Sequence, residues 1–220
     1  MMNEKQLRLV LANLSKSIDT ATLYDAIALV YNDLYESETD LKENSQIASA
    51  LRHIKGTQVL DIGCGIGLLL RLLKIAPSDY CGIDISKGMI EKARQHYPHY
   101  LFLQDDLVHL SKVKLNSIDN AVCLFGAYNY IKDYAELATS IRNLHLRLKK
   151  DGKIFIMLMS KEHPSQEGHH IIWPDSSEVL RVFTESQARM LFDPYFKKLE
   201  VKHFPPAANK HYFTVIGVKK

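Results

Sequence analysis

Apolar residues along the chain fall in two rhythms. Up to residue 55 they recur at helical spacing: Leu7, Leu11 and Leu14 make one stripe, and Leu23, Ile27, Val30 and Leu34 make a second. Asp19 or Thr20 is placed to cap the second helix, and a third short helix is predicted from Gln46 to His53, ending near Gly56. From Thr57 short apolar runs take over, at Gln58 to Ile62, Asp79 to Ile83, Tyr100 to Leu103, Ile118 to Leu124 and Lys153 to Met159. Helices are predicted between them at Leu68 to Lys74, Gly88 to His96 and Tyr134 to Lys149. Strands alternating with helices in this way make a mostly parallel sheet, because the crossovers lay helices over both of its faces.

Asp151-Gly152 reads as the turn into the fifth strand. A helix from Glu185 to Phe192, capped by Thr184 or Glu185 and ended by Pro194, leads to two last strands, Phe196 to Lys202 and His211 to Lys219. Pro205, Pro206 and Asn209 part them, and the pair is expected as an antiparallel hairpin at the sheet edge. The fold class is thus α/β: a Rossmann-like, seven-stranded, mostly parallel sheet with an antiparallel last strand and helices on both faces. Residues 1–55 are expected as an N-terminal helical cap and 56–220 as the sheet domain, with a polar insertion at 160–180.

Composition narrows the classes of function. The 220 residues are 46% hydrophobic and 24% charged, enough apolar material for one core and too much for a disordered chain. The strongest aliphatic run, Ile154 to Met159, falls far short of the roughly 20 residues of a membrane span. Glu4, Lys5 and Arg8 interrupt any secretory leader, so a cytoplasmic protein is expected. Cys64, Cys81 and Cys123 form no CxxC pair and support neither a disulfide framework nor a thiolate metal site. Twenty-eight basic against 25 acidic side chains give a net +3, without the concentrated charge of a nucleic-acid binder.

The segment Val59 to Gly67, VLDIGCGIG, carries the chemistry. A strand ending in alternate glycines turns tightly and brings its backbone against a ligand, while the next helix aims its first N–H groups at the same space. The dinucleotide spacing GxGxxG is not met, since Leu68 stands where its last glycine would be, and no GK[ST] follows.

Here the chain resembles the class I S-adenosylmethionine-dependent methyltransferases, whose first motif is an acid followed by GxGxG. The resemblance implies that Asp61, Gly63, Cys64, Gly65 and Gly67 form the turn under the methionine and ribose of S-adenosylmethionine, with Asp61 facing its amino end. It implies that Asp84, ending the run CGID, accepts the ribose hydroxyls, with Ile85 and Met89 against the adenine. In FLQDDL it sets Asp106 on the adenine amino group and Leu107 beside the ring, with Asp105 an alternative one residue away. Phe125 opens the turn after the fourth strand, where cofactor and acceptor meet.

The family needs no universal catalytic residue. Where the acceptor arrives protonated, Tyr128 and His163 are the candidates for acceptor contact and proton transfer, with Tyr130 beside them. Tyr24, Tyr31 and Tyr35 lie on nearly one helical face and either close over the cofactor or pack on the sheet. The insertion holding His163, His169, His170 and Trp173 is where family members shape acceptor specificity; no carboxylate pair accompanies these histidines, so no metal is assigned. Base-modifying members carry Asp or Asn, two prolines and an aromatic after the fourth strand, whereas this chain has Phe125-Gly126-Ala127-Tyr128. The implied partner is a small-molecule methyl acceptor rather than nucleic acid or membrane, and S-adenosylhomocysteine is the implied product, made by a monomer or homodimer. The alternatives are RNA or protein methylation, transfer from a decarboxylated adenosyl donor, and a non-catalytic adenosyl-binding interaction module.

Overall fold

A computed structural model describes residues 19–28, 31, 38–54, 58–160, 180–204 and 212–220. Its strands are β1 (Val59–Ile62), β2 (Tyr80–Asp84), β3 (Leu101–Gln104), β4 (Ile118–Cys123), β5 (Leu148–Met159), β6 (Phe196–Phe204) and β7 (Tyr212–Lys219). Its α-helices are α1 (Thr20–Ile27), α2 (Glu38–Ala50), α3 (Leu68–Leu72), α4 (Lys87–His96), α5 (Tyr134–Arg147) and α6 (Glu185–Phe192). The strands make one seven-stranded sheet in the order β3-β2-β1-β4-β5-β7-β6, parallel from β3 through β5 and antiparallel at β7.

The closing antiparallel hairpin forms at the sheet edge as expected, with β7 between β5 and β6. Asp151-Gly152 does not precede β5; it bends a strand already begun at Leu148, where the β4 pairing shifts from Ile118↔Leu148 to Asn120↔Lys153. Asp151 takes a left-handed φ of 59° to make that bend.

The sheet is buried on both faces, which is why its central strands read as continuous apolar runs rather than alternating ones. On one face Leu137, Ile141 and Leu144 of α5 and Leu191 and Phe192 of α6 join Leu60, Ile62, Ile154 and Ile156 in a single cluster. The other face is covered by Leu69 of α3, Ile90 and Ala93 of α4, and Ile47 and Leu51. Ile47 and Leu51 are fully buried, each contributing about 2 kcal/mol by leaving water, and they anchor an otherwise polar helix. Through these two residues the segment 38–54 adds to the layer covering that face of the sheet. α1 is a different piece, packed on α4.

Side-chain caps fix where the helices begin. Asp19 caps α1 by accepting the Thr22 N–H at 3.0 Å, Ser86 caps α4 through the Met89 N–H, and Thr184 forms a reciprocal capping box with Gln187 on α6. Among the described residues no helix is long and apolar enough to cross a membrane.

Candidate functional site

Sheet register brings the carboxyl ends of four strands to one rim: Ile62 pairs with both Ile83 and Cys123, and Asp84 with Gln104. Strand order reverses between β1 and β4, and open α/β sheets hold their ligands in the crevice at such a point. The glycine turn crosses this crevice. A Cβ on Gly63 would stand 2.7 Å from the Ala127 Cβ, so the turn and the loop after β4 meet there only because Gly63 has no side chain. Gly65 differs: at φ +51° a Cβ would meet nothing within 4 Å, and its backbone borders open space. Gly67, also left-handed, is the N-cap of α3. Cys64 turns its side chain inward, 4% exposed in the core cluster, and its N–H bonds the Ile83 carbonyl at 2.9 Å; only its backbone remains at the turn.

Asp84 locks the turn to the second strand. One carboxylate oxygen accepts the Gly65 N–H at 2.9 Å and the other accepts the Ser86 N–H at 2.9 Å. Each oxygen keeps a further lone pair, so both remain able to accept a hydroxyl. Burial raises the Asp84 carboxyl, offset in part by those two N–H groups. Asp61 lies below, 2% exposed, accepting the Tyr80 hydroxyl at 2.8 Å. Burial pushes it up to about 7, against the lowering effect of the Tyr80 bond and with a smaller push from Asp84. Asp84, desolvated and fastened to a turn that borders open space, suits a ligand that brings hydroxyls, with the buried acid Asp61 behind it.

The third strand end separates the two neighbouring aspartates. Asp105 is 8% exposed and spends its carboxylate on the Asp106, Ser111 and Lys112 N–H groups and the Ser111 hydroxyl, closing its own loop. It therefore leaves the set of cofactor contacts. Asp106 accepts the Val108 N–H and sits 3.2 Å from His109 Nδ1, but its side chain is 41% exposed and faces solvent with acceptor capacity to spare. Leu107 packs partly buried against the core. Ile85 is exposed beside Asp84, whereas Met89 is fully buried, so only the former offers an apolar surface to a ligand.

After β4 the chain makes a left-handed step at Phe125 and Gly126, φ 52° and 76°, and enters a short 3₁₀ turn over Ala127–Tyr130. Phe125 is set edge-on to Tyr212, its ring centroid 6.3 Å away. Tyr128 points the other way. It is fully buried in the cluster under α5, beside Ser140, whose own proton goes to the Leu107 carbonyl at 2.6 Å. Burial holds its phenol well above the usual range, and none of the side chain is exposed to the crevice. Tyr128 is therefore a core residue, and the expectation of acceptor contact is withdrawn. Asn129, also fully buried, ties the same turn to the Met159 N–H and the Arg181 carbonyl.

Tyr130 is the tyrosine of this turn that faces the cap. Its hydroxyl lies 2.6 Å from that of Tyr24 on α1, with the rings edge to face, and Tyr31 stacks obliquely on Tyr24 at 6.5 Å. Burial, the neighbouring phenols and Asp84 all hold the Tyr24 phenol up, which sets it within electrostatic reach of Asp84. Asp25, the next residue on α1, accepts the Ser86 hydroxyl at 2.5 Å and the Gly88 N–H at 2.8 Å. Sequence pattern gave no signal for Asp25, because its partners are more than sixty residues away. Tyr35, His163, His169, His170 and Trp173 lie outside the described residues.

Comparison with known proteins agrees with this geometry. Residues 59–152 match the family described as a methyltransferase domain. An uncharacterized protein of Methanocaldococcus jannaschii is 33% identical over 140 residues, covering 62% of this chain and 50% of that one. The dTDP-3-amino-3,4,6-trideoxy-alpha-D-glucopyranose N,N-dimethyltransferase of Streptomyces venezuelae is 25% identical over 141 residues, covering 63% of this chain and 56% of that protein. The chain thus spans about half the length of the curated relatives it matches. In fold it is similar to a solved S-adenosylmethionine-dependent methyltransferase from Thermotoga maritima, with a TM-score of 0.70 at 16% identity, covering 91% of this chain and 99% of that one. With the acid-and-glycine turn on β1, the carboxylate ending β2 and the antiparallel β7 all in place, residues 59–152 match a methyltransferase domain and the chain shares the fold of solved S-adenosylmethionine-dependent methyltransferases.

Proposed function

We propose that the protein transfers a methyl group from S-adenosylmethionine to a small-molecule acceptor and releases S-adenosylhomocysteine. The observation that carries this reading is the pairing of Gly65 with Asp84: a backbone bordering open space, fastened to a carboxylate that keeps a lone pair on each oxygen. Those residues fit an adenosyl group, with Asp84 accepting its ribose hydroxyls, Asp106 its adenine amino group and Ile85 flanking the ring. Asp61, beneath the turn, suits the ammonium end of the methionine. When bound, S-adenosylmethionine supplies an electrophilic methyl group, and the chain's task is to hold it dry and in line with a nucleophile.

A small acceptor is favoured because α1 lies over the rim and the Tyr24–Tyr130 pair narrows the approach. The pair sets polar atoms beside that approach, where an amine or hydroxyl acceptor can be oriented without a charged base. By its name the Streptomyces relative methylates the amino nitrogen of a nucleotide-linked sugar, an acceptor of this class. The same reading has the chain acting in the cytoplasm without a membrane, as a monomer or homodimer. Its three cysteines are unpaired, their thiols raised by burial, as suits a reducing compartment.

Incubation with methyl-labelled S-adenosylmethionine and separate pools of small metabolites, RNA and protein tests the proposal. Label should enter the metabolite pool and S-adenosylhomocysteine should accumulate with it. Label confined to RNA or protein would refute the small-acceptor reading.

A further inference from the structure

One chain of hydrogen bonds runs from the amino-terminal helix to the glycine turn. Asp25 on α1 accepts from the Ser86 hydroxyl at 2.5 Å and the Gly88 N–H at 2.8 Å; the Ser86 N–H donates to one oxygen of Asp84; the other oxygen accepts the Gly65 N–H. Ser86 is fully buried and its hydroxyl also accepts the Met89 N–H, so it holds a single orientation. A second observation is independent of these bonds. A Cβ at Gly88 would lie 3.1 Å from both the Cα and the carbonyl oxygen of Asp25 and 3.3 Å from the Ala28 Cβ. Gly88 has no left-handed φ to account for it; the backbone of α1 needs that space. The docked helix also carries Leu23 and Ile27, both buried, and sets the Tyr24 hydroxyl against Tyr130.

We propose that Asp25 is a positioning residue for the adenosyl site: clasping Ser86 and Gly88, it docks α1 on the start of α4, fixes the orientation of the Asp84 carboxylate and closes the tyrosine pair over the crevice. The inference rests on the adenosyl reading given above and extends it to a residue that touches no ligand. The Ser86 hydroxyl and the Gly88 N–H are the donors that face Asp25 at the start of α4, and Tyr24 and Asp61 are titratable neighbours of Asp84.

The test is calorimetric titration of the full chain with S-adenosylhomocysteine, alongside thermal melting, for wild type, Asp25→Ala, Asp25→Asn and Gly88→Ala. Losing hydrogen bonds to a charged acceptor should weaken binding about 10- to 100-fold in Asp25→Ala. Asp25→Asn keeps an acceptor oxygen and should bind within about threefold of wild type. Gly88→Ala favours helix but obstructs docking, so it should melt within about 2 °C of wild type and still bind at least about tenfold more weakly. If Asp25→Ala proves unfolded, Gly88→Ala alone decides. Wild type binding with both alanine variants equally tight would overturn the inference and leave the adenosyl site standing. No binding by wild type would overturn the adenosyl reading and this inference with it.

Discussion

Replacing Asp61 with asparagine should remove a pH dependence that the wild-type fold carries. The Asp61 carboxyl is buried and rises from an ordinary 3.8 to about 7. At about 1.36 kcal/mol per pH unit, this separation corresponds to about 4 kcal/mol between the two protonation states. The folded protein binds the Asp61 proton more tightly than the unfolded chain does. Across the window from 3.8 to about 7 it therefore holds more protons, and its stability falls as pH rises. Above that window the ionised, buried carboxylate is carried at full cost. Asparagine keeps an oxygen for the Tyr80 hydroxyl, bonded at 2.8 Å in the wild type, and has no proton to lose. Asp84 is also raised by burial and is common to both proteins, so the difference between them reports Asp61 together with its smaller coupling to Asp84.

The assay is urea unfolding of the ligand-free protein at intervals from about pH 5 to about pH 8, with the midpoint and slope fitted at each. Wild type should lose stability relative to Asp61→Asn by about 2.7 kcal/mol over that range, about two pH units at about 1.36 kcal/mol each, the gap opening towards neutral pH. Parallel stability curves for the two proteins would refute the reasoning, since they would mean that Asp61 titrates alike in both states.

Three further substitutions separate the roles assigned to neighbouring positions. Gly65→Ala imposes a side chain on a left-handed φ of +51° and should cost about 1–2 kcal/mol in unfolding experiments while weakening adenosyl binding; unchanged binding and stability would contradict the geometry of the turn. Tyr128→Phe removes a hydroxyl from inside the core and should leave methyl transfer within about twofold of wild type, with a stability change within about 1 kcal/mol; a large loss of turnover would restore Tyr128 to the reaction. Thr184→Ala breaks the capping box of α6 and should lower stability by about 1 kcal/mol without altering ligand affinity, measured by urea unfolding and calorimetry.

Where structure follows from residues close in sequence, the chain was readable. Strand-helix alternation, the cap positions Asp19 and Thr184, and the glycine turn all depend on local periodicity and local backbone chemistry, and each forms. The β6–β7 hairpin forms at the sheet edge as well, but which of its strands faces β5 did not follow, because a strand pattern is the same either way. Tyr128 and Tyr130 lie two residues apart in one 3₁₀ turn, and no pattern of that length says which enters the core and which meets the cap. Likewise, Asp105 and Asp106 differ only in which loop N–H groups they reach. Asp25 is one acid on a polar helix surface until the fold brings Ser86 and Gly88 to it.

The central claim is that the turn at Gly65 and the carboxylate of Asp84 hold an adenosyl group. Calorimetric titration of wild type and Asp84→Asn with S-adenosylhomocysteine, with NAD as the control ligand, tests it most directly. Asparagine has one acceptor oxygen where two are engaged in the wild type, so the variant should bind more weakly by about 2–4 kcal/mol, while NAD binds neither protein. Equal affinity of the two proteins for S-adenosylhomocysteine, or tighter binding of NAD by wild type, would contradict the claim.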